Sequence, residues 1–202
     1  ALAGIDTRAL TSKLRDQGTL KGYLSMEGSV SEDQAVAEAR RWHGLDGQDY
    51  ARRVSCERQY GFEDETVMST LWGIDVKLPP PDMHVVVYDF GIKWNIVRMM
   101  RLSGIRSTVV PAQTPAQDVL AMKCDGVFFS NGPADPAAVV YAIDNARALM
   151  GKIPLMGICL GHQILSLAAG AKTYRLKFGH HGCNHPVKDL TTGIVEITSQ
   201  NH

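Results

Sequence analysis

The sequence has little of what marks several common classes of protein. It contains only four cysteines, and no two of them are closely spaced. No segment with a basic start and an apolar stretch opens the sequence, which therefore predicts a protein of the reducing cytoplasm. The cysteines are Cys56, Cys124, Cys159 and Cys183.

Long apolar runs and an excess of one charge are also missing. Apolar stretches such as residues 126–130 and 153–158 fall far short of the roughly 18 residues that a membrane-spanning helix requires. The 21 basic residues equal the 21 acidic ones, so the charge predicts no binding to nucleic acid or to an anionic membrane. With 45% apolar and 21% charged residues, the composition is typical of a soluble globular protein.

The length of 202 residues is compatible with one domain or two. Three consecutive prolines, at positions 79–81, each remove a backbone donor and favour an extended linker. We therefore expect residues 1–78 to form one domain with its linker, and residues 84–202 to form a second one. The sequence has no initiator Met and stops just after a strand-like run, so we expect the full protein to extend beyond both ends.

Before the linker, the apolar spacing predicts helices at residues 6–15 and 31–42 and a short helical turn at 48–53. Asp6 or Thr7 is a candidate cap for the first helix, and Ser31 is a candidate cap for the second. The stretch from 55 to 82 shows less periodicity.

After the linker, short apolar strands alternate with amphipathic helices. Residues 84–90 form a nearly continuous apolar run rich in β-branched side chains, which is typical of a strand buried on both faces. This alternation predicts an α/β fold with an open, mostly parallel sheet covered by helices on both faces. The further predicted strands are 107–110, 126–130 and 153–158, and the predicted helices are 93–102, 115–122, 136–150 and 160–169. Ligands bind such sheets outside the carboxyl ends of the strands.

Cys159 stands at one of these strand-to-helix junctions, with Gly157 and Gly161 two residues to either side. A sharp turn that presents a nucleophile needs small flanking residues, and the start of a helix favours thiolate over thiol. The pattern therefore predicts a nucleophilic cysteine. The alternative is that Cys159 is simply a small buried apolar residue.

A second loop, residues 130–136, follows the preceding strand and is rich in turn-forming residues. We expect it to run beside the Cys159 turn. A backbone N–H from this loop, together with that of Leu160, can form an oxyanion hole for a tetrahedral intermediate. The alternative is a plain turn that caps the next helix.

Taken together, these motifs resemble the triad-type glutamine amidotransferases, whose signature is a cysteine turn of the form G-x-C-x-G-H. The fuller pattern is similar to the small subunits of carbamoyl phosphate synthetases, and residues 4–10 resemble a part of their amino-terminal domain that other amidotransferases lack. The matching segments are residues 87–91 with Lys93 and Asn95, then 130–133, 157–163, 177–182 and 184–187.

This resemblance implies a function for individual residues. Cys159 would attack the side-chain amide of L-glutamine and form a γ-glutamyl thioester, releasing ammonia. The N–H groups of Gly132 and Leu160 would hold the oxyanion. The residues implied to bind glutamine are Gly132, Ala134, Leu160, Gln163 and Asn201.

The resemblance also implies a partner. Ammonia would pass through a tunnel to a large synthetase subunit, which would use ATP, Mg²⁺ and bicarbonate to make carbamoyl phosphate for arginine and pyrimidine synthesis. No cofactor is expected in this chain. Two other interpretations remain open: a glutaminase subunit of another synthase, such as that for anthranilate or guanylate, and a partner that regulates without catalysing.

Two departures from the family pattern matter. The family usually has Gly where this sequence has Ala134, and a Cβ there can restrict a conformation that Gly permits. The family's catalytic His and Glu would lie past residue 202. Neither His162 nor His202 is expected to replace that His. We therefore predict that these 202 residues alone are nearly inactive.

Two further patterns resemble binding sites only weakly. The segment 180–185 holds three histidines and Cys183, but its spacing differs from the paired ligands of structural zinc sites, so we predict a hydrogen-bonding loop and no metal. The single glycine in 90–93 does not predict a phosphate loop.

Overall fold

The computed structural model describes residues 3–26, 28–62 and 78–202. The chain divides into two compact units. The flanking unit consists of residues 1–44 and 174–202, and the central unit consists of residues 45–173.

The central unit is built on a five-stranded sheet with the order β1-β3-β2-β4-β5. Four of its strands are parallel, and β1 runs antiparallel to β3 at one edge. The strands are β1 Tyr60–Phe62, β2 Met83–Asp89, β3 Ile105–Pro111, β4 Gly126–Phe129 and β5 Leu155–Gly157. The predicted open, mostly parallel sheet is confirmed.

Helices cover both faces of this sheet because its central strands are apolar on both sides. Along β2, Val86 and Tyr88 pack into one core cluster with the helices that follow β3, β4 and β5. Val87, between them, packs into the other cluster with Val97 of the helix after β2. Among the described residues of this unit, the helices are α3 Ala51–Val54, α4 Trp94–Leu102, α5 Ala116–Ala121, α6 Val140–Leu149 and α7 Leu160–Ala168.

The predicted helix at 136–150 is in fact two elements. A 3₁₀ turn, Pro136–Ala138, is capped by the Asp135 carboxylate, which accepts a hydrogen bond from the N–H of Ala137 at 3.0 Å. Val139 then leaves helical geometry, with φ −91° and ψ 55°, before α6 begins. The cap at Asp135 stabilises a tight turn in place of a first α-helical turn.

The flanking unit contains two helices and a hairpin. Helix α1, Thr7–Gln17, is capped by Asp6, and α2, Glu32–Arg41, is capped by Ser31 in a capping box with Gln34. The strands β6 His181–Lys188 and β7 Val195–Asn201 pair antiparallel. Both predicted caps are confirmed.

Some predictions fall partly outside the described residues. The less periodic stretch 55–82 includes residues 63–77, which lie outside the described ranges. Strand β1, Tyr60–Phe62, lies in the described first part of that stretch, where no strand was predicted. The domain boundaries expected near residues 78 and 84 stay a prediction. Within the described ranges, no helix is both long enough and apolar enough to cross a membrane.

Candidate active site

The site lies where the strand order of the central unit reverses. From β2 the chain crosses to β3 on one side and then returns to β4 on the other side of β2. Ligands bind open sheets of this kind at the carboxyl ends of the two strands that flank such a switch point. In register, Tyr88 pairs with Phe129 and Phe129 pairs with Gly157, so the loops after β2, β4 and β5 begin side by side.

Cys159 occupies the turn between β5 and α7 in a strained conformation. Its backbone has φ 54° and ψ −114°. Among the residues that the structure describes, Lys123 is the only other non-glycine residue with a positive φ. Such conformations cost about 1–3 kcal/mol each and persist where the surrounding structure enforces them, often at functional sites.

The two glycines that flank Cys159 are required by close backbone approach. A Cβ on Gly161 would lie 2.0 Å from the carbonyl oxygen of Phe129, and a Cβ on Gly157 would lie 2.6 Å from the carbonyl carbon of Gly161. Neither glycine has a positive φ. Glycine is therefore required at these two positions because the turn leaves no space for a Cβ, and not because of the backbone conformation.

Hydrogen bonds tie the Cys159 turn to the neighbouring strand. The N–H of Ile158 donates to the carbonyl of Phe129 at 3.1 Å, and the N–H of Gly161 donates to the carbonyl of Ser130 at 3.0 Å. The N–H of Gln163 donates to the carbonyl of Cys159 at 3.1 Å and continues the helix. The turn and the start of the loop after β4 therefore form one connected piece of backbone.

Cys159 is a partly exposed residue, whereas Leu160 beside it is 1% exposed. Two of the other cysteines lie in environments that favour the neutral thiol. Burial, with the nearby Asp89 carboxylate as a second cause, raises the pKa of Cys56 to about 11, and burial raises the pKa of Cys124. Cys183 is exposed on the hairpin of the flanking unit.

The loop after β4 lies directly on the end of β2. The hydroxyl of Ser130 accepts a hydrogen bond from the N–H of Phe90 at 2.9 Å. A Cβ on Gly132 would lie 2.0 Å from the carbonyl oxygen of Phe90, so only glycine fits at that position. Neither the N–H of Gly132 nor that of Leu160 has a hydrogen-bond partner within the part of the chain that the structure describes.

The structure brings most of the predicted site residues into one unit. Gly132 and Ala134 lie in the loop after β4, while Leu160 and Gln163 lie in the first turn of α7 beside Cys159. Asn201 is instead the last residue of β7 in the flanking unit, where its side-chain oxygen lies 3.2 Å from Nδ1 of His181.

Ala134, the departure from the family's usual glycine, fits its position without strain. It is absent from the residues with positive φ, and its side chain packs against the core cluster beneath α6 and α7. The Cβ therefore contacts apolar neighbours in a conformation open to any residue.

Asp89 is a site-adjacent residue for which the sequence assigned no role. Its carboxylate is nearly buried, at 6% exposure, and accepts hydrogen bonds from the N–H groups of Gly91, Ile92 and Cys56 at 2.8–2.9 Å. The Asp-Phe-Gly run after a strand is a signal for such a turn, because Asp often accepts bonds from backbone two or three residues ahead. The bond to Cys56 spans 33 residues and leaves no local signal.

A groove of about 320 Å³ also lies at the carboxyl end of the sheet, beyond β3. It contains none of the predicted site residues. Its lining consists of Arg52, Ser55, Cys56, Glu57, Pro111, Ala112 and Gln113.

The histidine-rich segment forms contacts within the hairpin. Nδ1 of His180 lies 3.1 Å from Nε2 of His202, and the ring of His180 is 5.3 Å from that of His185. Within the described ranges, no group of three or more His, Cys, Asp or Glu side chains is arranged to hold a metal ion. His162 lies in the first turn of α7, and its carbonyl accepts a bond from the Ser166 hydroxyl.

Comparison with known proteins adds family information to this geometry. Residues 86–202 match the sequence profile of the family described as glutamine amidotransferase class-I. The chain is 49% identical over 209 residues to a carbamoyl phosphate synthase small chain from Pseudomonas syringae pv. tomato, and 50% identical over 208 residues to one from Vibrio cholerae. Both alignments include all of this chain and 54% of the relative, so the chain spans about half the length of these relatives.

A relative from a plant gives a similar result. A chloroplastic carbamoyl phosphate synthase small chain from Oryza sativa is 48% identical over 198 residues, which are 98% of this chain and 44% of that protein. Among solved structures, a protein from Thermoplasma acidophilum described as a GMP synthase subunit candidate overlaps 50% of this chain, with 23% identity and a TM-score of 0.43. That overlap is too partial to bear on fold or function.

Proposed function

This chain belongs to the class-I glutamine amidotransferase family, and from that membership we propose that it hydrolyses the side-chain amide of L-glutamine at Cys159 as part of a carbamoyl phosphate synthase small chain. The family profile matches residues 86–202, which include the whole Cys159 turn. The observation that carries the proposal is the strained backbone of Cys159 at the start of α7, enforced by Gly157 and Gly161.

The residues before the family segment favour a carbamoyl phosphate synthase over other amidotransferases. Residues 1–85 lie outside the class-I profile, yet the small chains from Pseudomonas syringae and Vibrio cholerae align with them as well. An amidotransferase that serves the synthesis of anthranilate or guanylate is therefore the weaker candidate.

In the proposed reaction, the thiolate of Cys159 attacks the amide carbon of glutamine. A C–S bond forms, the C–N bond breaks, and ammonia leaves after it accepts a proton from a general acid. Water then attacks the γ-glutamyl thioester, which releases glutamate and restores the thiol. In the family that the chain resembles, a His oriented by a Glu acts as acid and base, and we propose that such a pair serves the full-length protein.

The N–H groups of Gly132 and Leu160 are the proposed oxyanion donors. Support comes from their place on two adjacent loops and from the lack of other hydrogen bonds to them within the described residues. Removing one oxyanion donor of this kind lowers kcat by about 10²–10³-fold. Gln163 and the backbone at Ala134 are proposed to bind the rest of glutamine, and a role for Asn201 stays a prediction from the family pattern.

The ammonia is proposed to pass to a large synthetase subunit. That partner would bind ATP and Mg²⁺ and combine the ammonia with bicarbonate to give carbamoyl phosphate, in the cytoplasm, for arginine and pyrimidine synthesis. No cofactor is assigned to this chain.

Labelling with 6-diazo-5-oxo-L-norleucine, a glutamine-like electrophile, tests the nucleophile in the full-length protein. We expect one adduct, on Cys159, which excess glutamine suppresses and Cys159→Ser abolishes. Cys183→Ser is the matched control, since it removes the exposed thiol of the flanking unit and should leave the labelling unchanged. An adduct on any other residue, or glutaminase activity that survives in Cys159→Ser, would contradict the proposal.

The partner is tested by assaying the full-length protein with its co-purifying synthase. Glutamine-dependent formation of carbamoyl phosphate is the expected product. Formation of anthranilate or GMP instead would assign the chain to another synthase, and a stable complex without any glutaminase activity would indicate a regulatory role.

A further inference from the structure

We propose that Ser130 and Asn131 are positioning residues, which fix the direction of the Gly132 N–H so that it can bind the oxyanion formed from glutamine. This inference rests on the proposed glutaminase function. It concerns side chains that join the loop after β4 to the loop after β2, at the point where the strand order reverses.

Ser130 holds the peptide plane that contains the Gly132 N–H. Its hydroxyl donates to the carbonyl oxygen of Asn131 at 2.8 Å while it accepts from the N–H of Phe90 at 2.9 Å. In a trans peptide the C=O and the following N–H point in opposite directions. Because the Asn131 carbonyl is held toward Ser130, the N–H of Gly132 is held in the opposite direction.

Asn131 joins the same loop to the end of β2 with both ends of its amide. Its oxygen accepts from the N–H of Lys93 at 3.0 Å, and its nitrogen donates to the carbonyl of Gly91 at 3.1 Å. An amide oxygen only accepts and an amide NH₂ only donates, so the two bonds fix the orientation of the group. These contacts span 38 and 40 residues.

Gly132 itself has almost no room to move toward β2. The carbonyl oxygen of Phe90 stands 2.0 Å from the place where a Cβ would lie. The side chain of Asn131 opposes movement in the other direction, since lifting the loop would break both of its bonds. Ser130 is fully buried, so the bonds of its hydroxyl do not compete with water.

A positioning role predicts a specific pattern of kinetic effects. A mutation that disturbs an interaction made only in the transition state lowers kcat and kcat/KM equally and leaves KM unchanged. Alkylation of Cys159 by iodoacetamide forms no oxyanion at a carbonyl, so its rate depends on the thiol alone. A loss of glutaminase activity with unchanged alkylation therefore identifies the oxyanion loop.

Asn131→Ala in the full-length protein is the main test, and Asn145→Ala is its matched control. Asn145 makes an equivalent pair of bonds in the same unit, because its oxygen accepts from the Ala116 N–H at 3.0 Å and its nitrogen donates to the Thr114 carbonyl at 2.9 Å. Both variants therefore lose two side-chain bonds to backbone. Urea unfolding measures whether their losses of stability are similar.

We expect Asn131→Ala to lower kcat about 10–100-fold, since displacing a catalytic group by about 1 Å can lower the rate on the order of 10²-fold. The KM for glutamine and the rate of Cys159 alkylation should stay within about twofold of wild type. Asn145→Ala should keep kcat within about twofold. If both variants lose kcat equally, if Asn131→Ala retains full activity, or if alkylation falls in step with kcat, the positioning role is wrong.

A second variant guards against failure to fold. Asn131→Asp retains the acceptor for the Lys93 N–H and loses the donor to the Gly91 carbonyl, so we expect this variant to fold. Its kcat should lie between those of wild type and Asn131→Ala. A wild-type kcat in Asn131→Asp would overturn the inference. The proposed function fails separately, since wild-type protein without glutaminase activity, or an active Cys159→Ser variant, would refute that function whatever Asn131 does.

Discussion

Replacing Gly161 with alanine tests directly whether close backbone packing enforces the Cys159 turn. The new Cβ would lie 2.0 Å from the carbonyl oxygen and 2.5 Å from the carbonyl carbon of Phe129, where real Cβ contacts lie beyond 3 Å. The obstacle is the backbone of a buried strand, which cannot rotate away as a side chain can. The start of α7 must therefore move away from β4 by about 1 Å or more.

The expected cost has two parts. Overpacking of this kind costs about 1–3 kcal/mol. The movement also weakens the bonds from Gly161 to Ser130 and from Ile158 to Phe129, each worth about 1 kcal/mol. We therefore expect the free energy of unfolding to fall by about 3–5 kcal/mol. Because the displaced turn carries Cys159, we expect glutaminase activity to fall at least about 100-fold.

Urea unfolding of the full-length protein, together with a glutaminase assay, measures both effects. Gly126→Ala is the matched control in the neighbouring strand, because its Cβ would meet only ordinary contacts, the nearest at 3.5 Å. It should change the free energy of unfolding by less than about 1 kcal/mol and leave activity intact. Gly161→Ala with wild-type stability and wild-type turnover would refute the argument that steric contact enforces the turn.

Two further predictions concern the other cysteines and the length of the chain. At pH 8, iodoacetamide should label Cys56 far more slowly than Cys183, because burial and Asp89 raise the pKa of Cys56. The labelling rate of Cys56 should rise about tenfold per pH unit toward pH 11. The same pKa shift should lower the free energy of unfolding as pH rises from about 9 to about 11, because in that range the Cys56 thiol ionises only in the unfolded protein. Equal labelling at pH 8 would contradict this. The 202 residues alone should hydrolyse glutamine at least about 1,000-fold more slowly than the full-length protein, since no histidine among them is assigned as the catalytic base. Comparable turnover by the two would show that one of these 202 residues does serve as the base.

Some elements of the fold could be predicted because their signals are local. The β-branched run at 84–90 and the Ser31 cap each lie within a few residues, and both appear in the structure as expected. Strand β1 was missed because Tyr60–Phe62 is too short to show an alternating pattern. The predicted helix at 136–150 was wrong in its first turn, where the Asp135 cap favours a 3₁₀ turn.

The positions of Cys159, Gly157 and Gly161 in the sequence indicated a strained turn, and the structure supplies the reason for both glycines. The bond from Cys56 to Asp89 and the role of Asn131 left no comparable trace. Their decisive partners lie 33 to 40 residues away in the sequence, and a hydrogen bond across that distance exists only once the strands have taken their order.

By itself, then, the sequence determined which segments form buried strands and helices and which cysteine stands at a tight turn, because apolar periodicity and glycine spacing are properties of neighbouring residues. Tertiary structure decided that β2 and β4 lie side by side, that Gly132 rests on Phe90, and that Asn131 joins the two loops. These contacts depend on how strands far apart in the chain pair with each other, and no local pattern encodes that pairing.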